Sequence, residues 1–160
     1  MHLQIAAIGA KPGKAEAALL DDYLKRAGVI GGNIGFSGPH VSTFEAPKTL
    51  SGAKRQARES ELLLGAVPDR ATVIALDERG KNVSSEAFAE TLARWRDDGV
   101  PGAAFLIGGA DGHDKLALER ASLALSFGSL TWPHMLVRVM LAEQLYRVMT
   151  ILSGHPYHRS

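Results

Sequence analysis

The chain has 160 residues and a formal net charge of +1, with 46% hydrophobic residues, 22% charged residues and no cysteine. This length and composition are typical of a single globular domain, here residues 1–160, with one hydrophobic core. A charge so close to zero excludes a polycation that holds nucleic acid by bulk attraction, and the lack of cysteine excludes disulfides, thiolate metal sites and thiol nucleophiles.

The first half of the chain alternates apolar runs with amphipathic segments. An apolar run at 3–8 predicts a strand, and the alanine- and leucine-rich segment 14–26 predicts a helix. Five glycines between positions 28 and 38 indicate a flexible loop. Residues 40–46 then predict a second strand, and residues 51–64 a second helix.

The second half continues the same alternation. Apolar, partly β-branched runs predict buried strands at 71–76, 103–107 and 123–127. Helices are predicted from Ser84, a good capping residue, to 97–99, at 114–121, and from Pro133 onward. Strands that alternate with helices and read as continuous apolar runs indicate an α/β fold, with a mostly parallel sheet and helices on both faces.

One glycine-rich turn directly follows a predicted strand. The turn is Gly108-Gly109-Ala110-Asp111-Gly112, after the run 103–107. Ligands of open parallel sheets bind beyond the carboxyl ends of the strands, and glycine lets the backbone approach them closely. A tight turn, with Asp111 or Asp114 capping the next helix, explains the same residues equally well.

Other nucleotide and metal signatures are weak. The segment 9–14 (GAKPGK) is one residue short of a phosphate-binding loop and lacks the serine or threonine that follows the lysine. The glycines between 28 and 38 do not fit G-x-G-x-x-G. Asp111, His113 and Asp114 lack the ligand spacing of a metal site, so we predict no metal.

The last helix is apolar on nearly all sides. Its circumference is covered by Leu136, Val137, Val139, Met140, Leu141, Leu145, Tyr146, Val148 and Met149. A face of this size rarely meets water in a monomer, so the pattern predicts a twofold homodimer joined along this helix. The alternative is a helix buried wholly within one chain, although a chain this short leaves little protein to cover it.

The same segment does not predict a membrane span. Arg138, Glu143, Gln144 and Arg147 interrupt it, and buried charges make insertion expensive. Residues 1–5 also lack the basic lead and the apolar stretch of a signal peptide. We therefore expect a cytoplasmic protein without membrane contact.

Polar groups that bind substrate or move protons stand at both ends of this helix. His134 follows Pro133 at its start, and His155-Pro156-Tyr157-His158-Arg159 follows its end. Lys48, Lys54, Arg55 and Arg58 form a separate basic group along the second helix. This group is either a solvated face or a set of phosphate contacts.

Three motifs, in order and with matching spacing, give the chain a family resemblance. FLIGGADG at 105–112, LTWPHMLVR at 130–138 and HPYHR at 155–159 resemble the ribosomal RNA large subunit methyltransferase H family of the SPOUT methyltransferases. The similarity extends over essentially the whole chain. It implies an α/β fold with a C-terminal trefoil knot, a homodimer, and methylation of N3 of a pseudouridine in 23S ribosomal RNA. Because the net charge is so close to zero, we expect better activity on assembled ribosomes than on naked RNA.

The resemblance also implies a site. The cofactor S-adenosylmethionine would be bound by Leu76, Gly108, Gly109, Phe127, Gly128, Ser129, Leu130, Thr131 and Trp132. His158, Tyr157 and Arg159 are the candidates for catalysis, and the tail would act on its own cofactor or across the dimer on that of the partner. Candidate contacts to RNA are His134, Arg138, Lys48, Lys54 and Arg55.

Two other functions remain open. A non-catalytic ribosome-associated factor would keep the fold without methyl transfer. A flavodoxin-like binding module would need a flavin or phosphate loop after the first strand, which residues 9–13 do not supply.

Overall fold

A computed structural model of the chain describes residues 1–9 and 13–158. Its sheet consists of the strands β1 (His2–Ile8), β2 (Ser37–Phe44), β3 (Thr72–Lys81), β4 (Gly102–Ile107) and β5 (Leu123–Leu125). Within the described residues the helices are α1 (Lys14–Gly32), α2 (Gly52–Gly65), α3 (Ser85–Asp97), α4 (Lys115–Arg120) and α5 (His134–Ser153). The predicted α/β fold is confirmed.

The strands run parallel in the order β2-β1-β4-β3-β5. Every residue of β4 is buried, because this strand lies between β1 and β3 with helices on both faces of the sheet. Burial on both faces explains why the run is apolar without alternation. The carboxyl ends of β1, β3, β4 and β5 meet at one edge of the sheet, the edge at which such sheets bind ligands.

The helices form two layers. On one face α5 packs against α1 and α3, and on the other face lie α2 and α4. Strand β1 shows the division, since Leu3 and Ile5 belong to the core shared with Leu141 of α5. Ala6 and Ile8, which point the opposite way, pack with Leu63 of α2. This alternation follows from the twofold period of a strand.

The glycines between positions 28 and 38 do not form the predicted loop. Helix α1 continues to Gly32, and β2 already begins at Ser37. A Cβ on Gly31 would stand 3.2 Å from Sδ of Met149, and one on Gly28 would stand 3.0 Å from the carbonyl oxygen of Gly38. These glycines let α1 approach α5 and β2 closely, so tertiary packing outweighs their low helix propensity.

The other differences concern element ends. Strand β3 runs on to Lys81 rather than ending at residue 76, and β5 ends at Leu125. Helix α5 begins at His134, with Pro133 as its N-cap. The predicted cap of α3 is confirmed, because the Ser84 hydroxyl accepts a hydrogen bond from the backbone N–H of Ala87 at 3.1 Å.

Most of the surface of α5 is covered by other residues of the same chain. Its apolar residues pack against α1, α3 and the sheet, and among the described residues of this helix Leu136 is the one large exposed apolar side chain, at 41%. The argument that one side of the helix must be covered by a partner is therefore wrong. The homodimer stays a prediction. None of the described helices combines the length and the apolarity that crossing a bilayer requires.

Candidate functional site

A cavity of about 270 Å³ opens beyond the carboxyl ends of β3, β4 and β5. Its walls come from three segments: the continuation of β3 at 76–79, the turn at 107–112, and the stretch 125–132 that leads into α5. His134 and Val137, in the first turn of α5, close one side. The cavity is where parallel sheets of this kind bind small molecules.

Almost all the predicted cofactor residues line this one cavity. They are Leu76, Gly108, Gly109, Phe127, Gly128, Leu130, Thr131 and Trp132. Ser129 belongs to the same stretch but is exposed and is not part of the lining. Several lining residues were not predicted to be site residues: Asp77, Glu78, Arg79, Ile107, Ser126 and Val137. Their signal was position, since each stands at or just after the end of an apolar run or at the start of α5.

The stretch 125–132 is held to the rest of the wall by Ser126. Its hydroxyl donates to the carbonyl oxygen of Glu78 at 3.1 Å and accepts from the backbone N–H of Gly128 at 3.2 Å. Gly128 has φ of +110°, a conformation that side chains of L-residues rarely adopt. A Cβ at Gly112 or Gly128 would stand in open space, so both glycines leave bare backbone on the wall.

Helix α2 holds the glycine turn from behind. The side-chain amide of Gln56 donates to the carbonyl oxygens of Asp111 (2.7 Å) and His113 (3.1 Å). The Ser60 hydroxyl accepts from the backbone N–H of Asp114 at 3.1 Å. The position of the turn is therefore fixed by side chains that lie outside the cavity.

His113 supports the wall from inside the protein. It is 3% exposed, and its Nε2 lies 3.2 Å from the carbonyl oxygen of Leu76. Burial lowers the pKa of this imidazole, although the charge of Asp77 opposes the shift.

Asp114 caps α4 by accepting from the N–H of Ala117 at 2.8 Å, so the capping interpretation of this residue is confirmed. Among the described residues no group of His, Asp and Glu side chains is arranged to hold a metal ion.

The buried imidazole makes stability depend on pH. The folded chain resists protonation of His113 because burial lowers its pKa, whereas the unfolded chain binds the proton near pH 6.5. Stability should therefore be highest above that pH and should fall as the pH drops from about 6.5 towards the lower folded pKa. The loss should be smaller in His113→Gln, measured as urea midpoints at pH 7.5 and 5.5. Equal losses in both proteins would contradict this assignment.

The C-terminal tail lies against α5. The Tyr157 ring contacts the Tyr146 ring with centres 4.5 Å apart, and its hydroxyl donates to a carboxylate oxygen of Glu143 at 3.1 Å. Arg147 donates to the same oxygen from Nε at 3.1 Å. Burial raises the pKa of Tyr157, and the hydrogen bonds with Tyr23 and Glu143 add to the effect. The phenol is thus held in its protonated form.

His158 connects the tail to α3. Its Nε2 lies 2.7 Å from Oε1 of Glu86, and its Nδ1 lies 3.4 Å from Nη1 of Arg147. The pKa of Glu86 is lowered by hydrogen bonds from its own backbone N–H, from Ser84 and from His158. Arg159 lies outside the described residues.

The tail is not part of the lining of the cavity of its own chain. His134 lines the cavity, whereas Arg147, which contacts His158, stands thirteen positions further along the same helix. At 1.5 Å per residue the two points are separated by about 20 Å along the helix axis. Tyr157 and His158 therefore lie away from His134, and neither residue belongs to the lining of the cavity.

The candidate RNA contacts differ in how far they are exposed to solvent. Lys48 and Lys54 are exposed, and Arg55 is exposed while pairing with Glu59 at 2.9 Å. His134 faces the cavity. Arg138 differs from the expectation, because it is 0% exposed and its Nη2 donates to the carbonyl oxygen of Ile8 at 2.8 Å. As placed, its guanidinium holds the end of β1 and presents no cation to a phosphate.

The chain is similar to known proteins over its whole length. The sequence model of a family described as predicted SPOUT methyltransferases matches residues 1–158. A ribosomal RNA large subunit methyltransferase H from Paramagnetospirillum magneticum is 48% identical over 159 residues, which is 99% of both chains. Proteins of the same name from Rhodopseudomonas palustris and Hyphomonas neptunium are 46% and 49% identical over 160 residues, with full coverage of both chains.

The chain belongs to the ribosomal RNA large subunit methyltransferase H family. The resemblance inferred from the three motifs is thereby confirmed. The family match covers all the segments that form the cavity, and it reaches His158 in the tail. In this member of the ribosomal RNA large subunit methyltransferase H family, the glycine turn and the stretch before α5 both line one cavity, which the linear motifs did not reveal.

Proposed function

We propose that this protein uses S-adenosylmethionine to methylate N3 of a pseudouridine in 23S ribosomal RNA. The observation that carries the proposal is the cavity at the strand ends, in a chain that matches ribosomal RNA large subunit methyltransferases H from end to end. We also propose that the stretch 125–132 and α5 form the C-terminal trefoil knot typical of SPOUT methyltransferases.

The cavity suits such a cofactor chemically. Leu76, Ile107, Leu130 and Trp132 offer apolar surface to an adenine ring, while Gly112 and Gly128 leave backbone groups accessible. The Asp77 carboxylate adds a negative charge to the wall, and it pairs with Arg79 at 3.2 Å. Burial acts to raise the pKa of Asp77, but hydrogen bonds and charge from Arg79 outweigh it, so the net pKa is lowered and the group stays ionised.

When bound, S-adenosylmethionine supplies a methyl group on a positively charged sulfur. The cavity walls then have to hold that methyl in line with the ring nitrogen and exclude water, which is catalysis by positioning. N3 of the target ring also carries a proton that has to leave, so a group that accepts it should accelerate transfer.

His158 is the better candidate for the proton. With its own proton on Nε2 it donates to Glu86, and Nδ1 then accepts only the long 3.4 Å contact from Arg147. Tyr157 fits the role less well because its raised pKa keeps the phenol protonated. In this proposal Tyr157 turns its one O–H from Glu143 to a ring oxygen of the bound substrate, and Arg159 binds a phosphate.

We further propose a homodimer in which each tail completes the site of the partner. The support is that Tyr157 and His158 are not in the cavity lining, and that about 20 Å along α5 separates His134 on the cavity wall from Arg147 beside the tail. An antiparallel pair of chains brings the end of one α5 towards the start of the other. Leu130, Trp132 and Leu136, which are 68%, 37% and 41% exposed beside the cavity, are apolar surface that such a contact would cover.

The RNA would be held by a few local cations. Lys48 and Lys54 are exposed on and before α2, the helix that supports the glycine turn, and Arg55 lies beside them. His134, on the cavity wall, is placed to contact the target base. Because the net charge is only +1, we propose that the substrate is the assembled ribosome, in the cytoplasm, where preformed RNA supplies additional contacts.

The proposal is tested with ribosomes that lack the modification. Incubation with radiolabelled S-adenosylmethionine should transfer label to 23S ribosomal RNA at one pseudouridine, identified by mass mapping. Assembled ribosomes should be labelled at least about tenfold faster than naked RNA, because a +1 chain binds free RNA weakly. Binding to ribosomes without any transfer would instead support the non-catalytic factor, and equal rates on both substrates would contradict the preference for assembled ribosomes.

A further inference from the structure

A charged side chain is buried in α2 behind the glycine turn. Glu59 is 1% exposed. Its Oε1 accepts from Nε of Arg55 at 2.9 Å, while Oε2 has no hydrogen-bond partner among the described residues. A buried carboxylate is unfavourable unless opposite charge compensates it. One oxygen of Glu59 lacks such a partner within the described part of the chain.

That carboxylate is separated from the cavity by one residue. A Cβ on Gly109 would overlap Oε2 of Glu59 and would stand 2.8 Å from Cδ, so the carboxylate lies in direct contact with the glycine backbone. Gly109 itself lines the cavity. Glu59 thus lies against one side of the wall, and a bound molecule would lie against the other.

We propose that Glu59 is a buried counter-charge that selects a positively charged methyl donor over the neutral product. This inference rests on the proposed use of S-adenosylmethionine. A carboxylate acting through a wall of low polarity attracts a cationic sulfur more strongly than it would in water. The attraction disappears once the methyl group has left, because the C–S electron pair stays on sulfur and makes it an uncharged thioether. Glu59 therefore favours binding of the donor and release of the product.

Arg55 weakens this attraction without abolishing it. Its side chain is 45% exposed, so solvent screens its charge, whereas the Glu59 side chain is 1% exposed and is screened far less. Asp77, which is part of the cavity lining, acts in the same direction as Glu59 but is paired with Arg79. Glu59 is a positioning and selectivity residue, since Gly109 prevents it from touching the bound molecule.

The test compares two ligands that differ by one methyl group and one charge. Dissociation constants of S-adenosylmethionine and S-adenosylhomocysteine are measured by calorimetry for the wild type, Glu59→Gln and Glu61→Gln. In Glu59→Gln the preference for the charged ligand should fall about fivefold, with little change for the neutral one. Glu61→Gln is the matched control on the same helix; its carboxylate is 69% exposed and pairs with Arg58, so the preference should not change.

A second variant, Arg55→Gln, leaves Glu59 in place and removes its partner, so the preference for the charged ligand should increase. Equal weakening of both ligands in Glu59→Gln would show that Glu59 only packs against the turn and would overturn the inference alone. Failure of the wild type to bind either ligand would overturn the proposed function, and the inference with it.

Discussion

Two inactive variants of this protein should recover methyl transfer when they are mixed. The first, Gly109→Ala, places a Cβ against Glu59, 2.8 Å from its Cδ, and so should distort the cofactor wall. The second, the double variant Tyr157→Phe and His158→Ala, keeps the cavity and removes the groups proposed to act on the substrate. Each variant alone should transfer methyl groups at less than about 1% of the wild-type rate.

Recovery is expected because each site would combine two chains. In a mixed dimer the intact cavity of one chain meets the intact tail of the other, while the second site carries both defects. Random exchange at equal amounts makes half of the dimers mixed, so activity should return to about a quarter of the wild-type value. Rates are measured on unmodified ribosomes after the mixture has been unfolded and refolded together.

A matched control separates the wall defect from a general effect of alanine. Gly65→Ala lies at the end of α2, where a Cβ meets no atom within 4 Å, and should keep wild-type activity. If the mixture stays as inactive as its components while both variants form dimers, each tail acts on the cavity of its own chain. The proposed exchange of tails would then be wrong.

The sequence predicted site residues best where they directly follow a strand. Gly108 follows β4 directly, so the rule for parallel sheets placed it at a ligand site, and the structure brings it together with Leu76, the last residue of β3 that pairs with β4. The stretch 127–132 is distant in sequence, and only the family resemblance assigned it to the same site. Periodicity does not indicate which loop crosses above a sheet. Residues 77–79 were missed because β3 continues beyond its apolar run.

The pattern along one helix does not show burial that depends on a distant segment. Arg55 and Glu59 are four residues apart on a helix, the spacing of an ordinary surface ion pair, yet Glu59 is buried beneath the glycine turn. The glycines of α1 likewise predicted a loop, because the sequence does not show that Gly31 packs against the distant Met149 or that Gly28 packs against the backbone of Gly38. Single-residue propensity carries no information about such contacts.

Arg138 is the residue for which sequence and structure differ most, and Arg138→Ala should destabilise the protein by about 3 kcal/mol. The guanidinium is 0% exposed, and it donates to the carbonyl oxygens of Ile8 at 2.8 Å and Gly9 at 3.4 Å. Truncation would leave these acceptors without that donor at the end of β1 and would also open a cavity in the core. Burial lowers the pKa of the Arg138 guanidinium and so acts against its charge. The hydrogen bonds to the carbonyl oxygens of Ile8 and Gly9 act in favour of the charge.

The loss is measured as the shift in the urea midpoint at constant m-value, against Arg94→Ala as a control. Arg94 is exposed on α3, so its removal should change stability by less than about 0.5 kcal/mol. The affinity of the folded Arg138→Ala variant for ribosomes, measured at low temperature, then distinguishes a structural role of Arg138 from a contact with RNA. Unchanged stability combined with weaker ribosome binding would mean that Arg138 contacts RNA after all, and that the end of β1 is held by other groups.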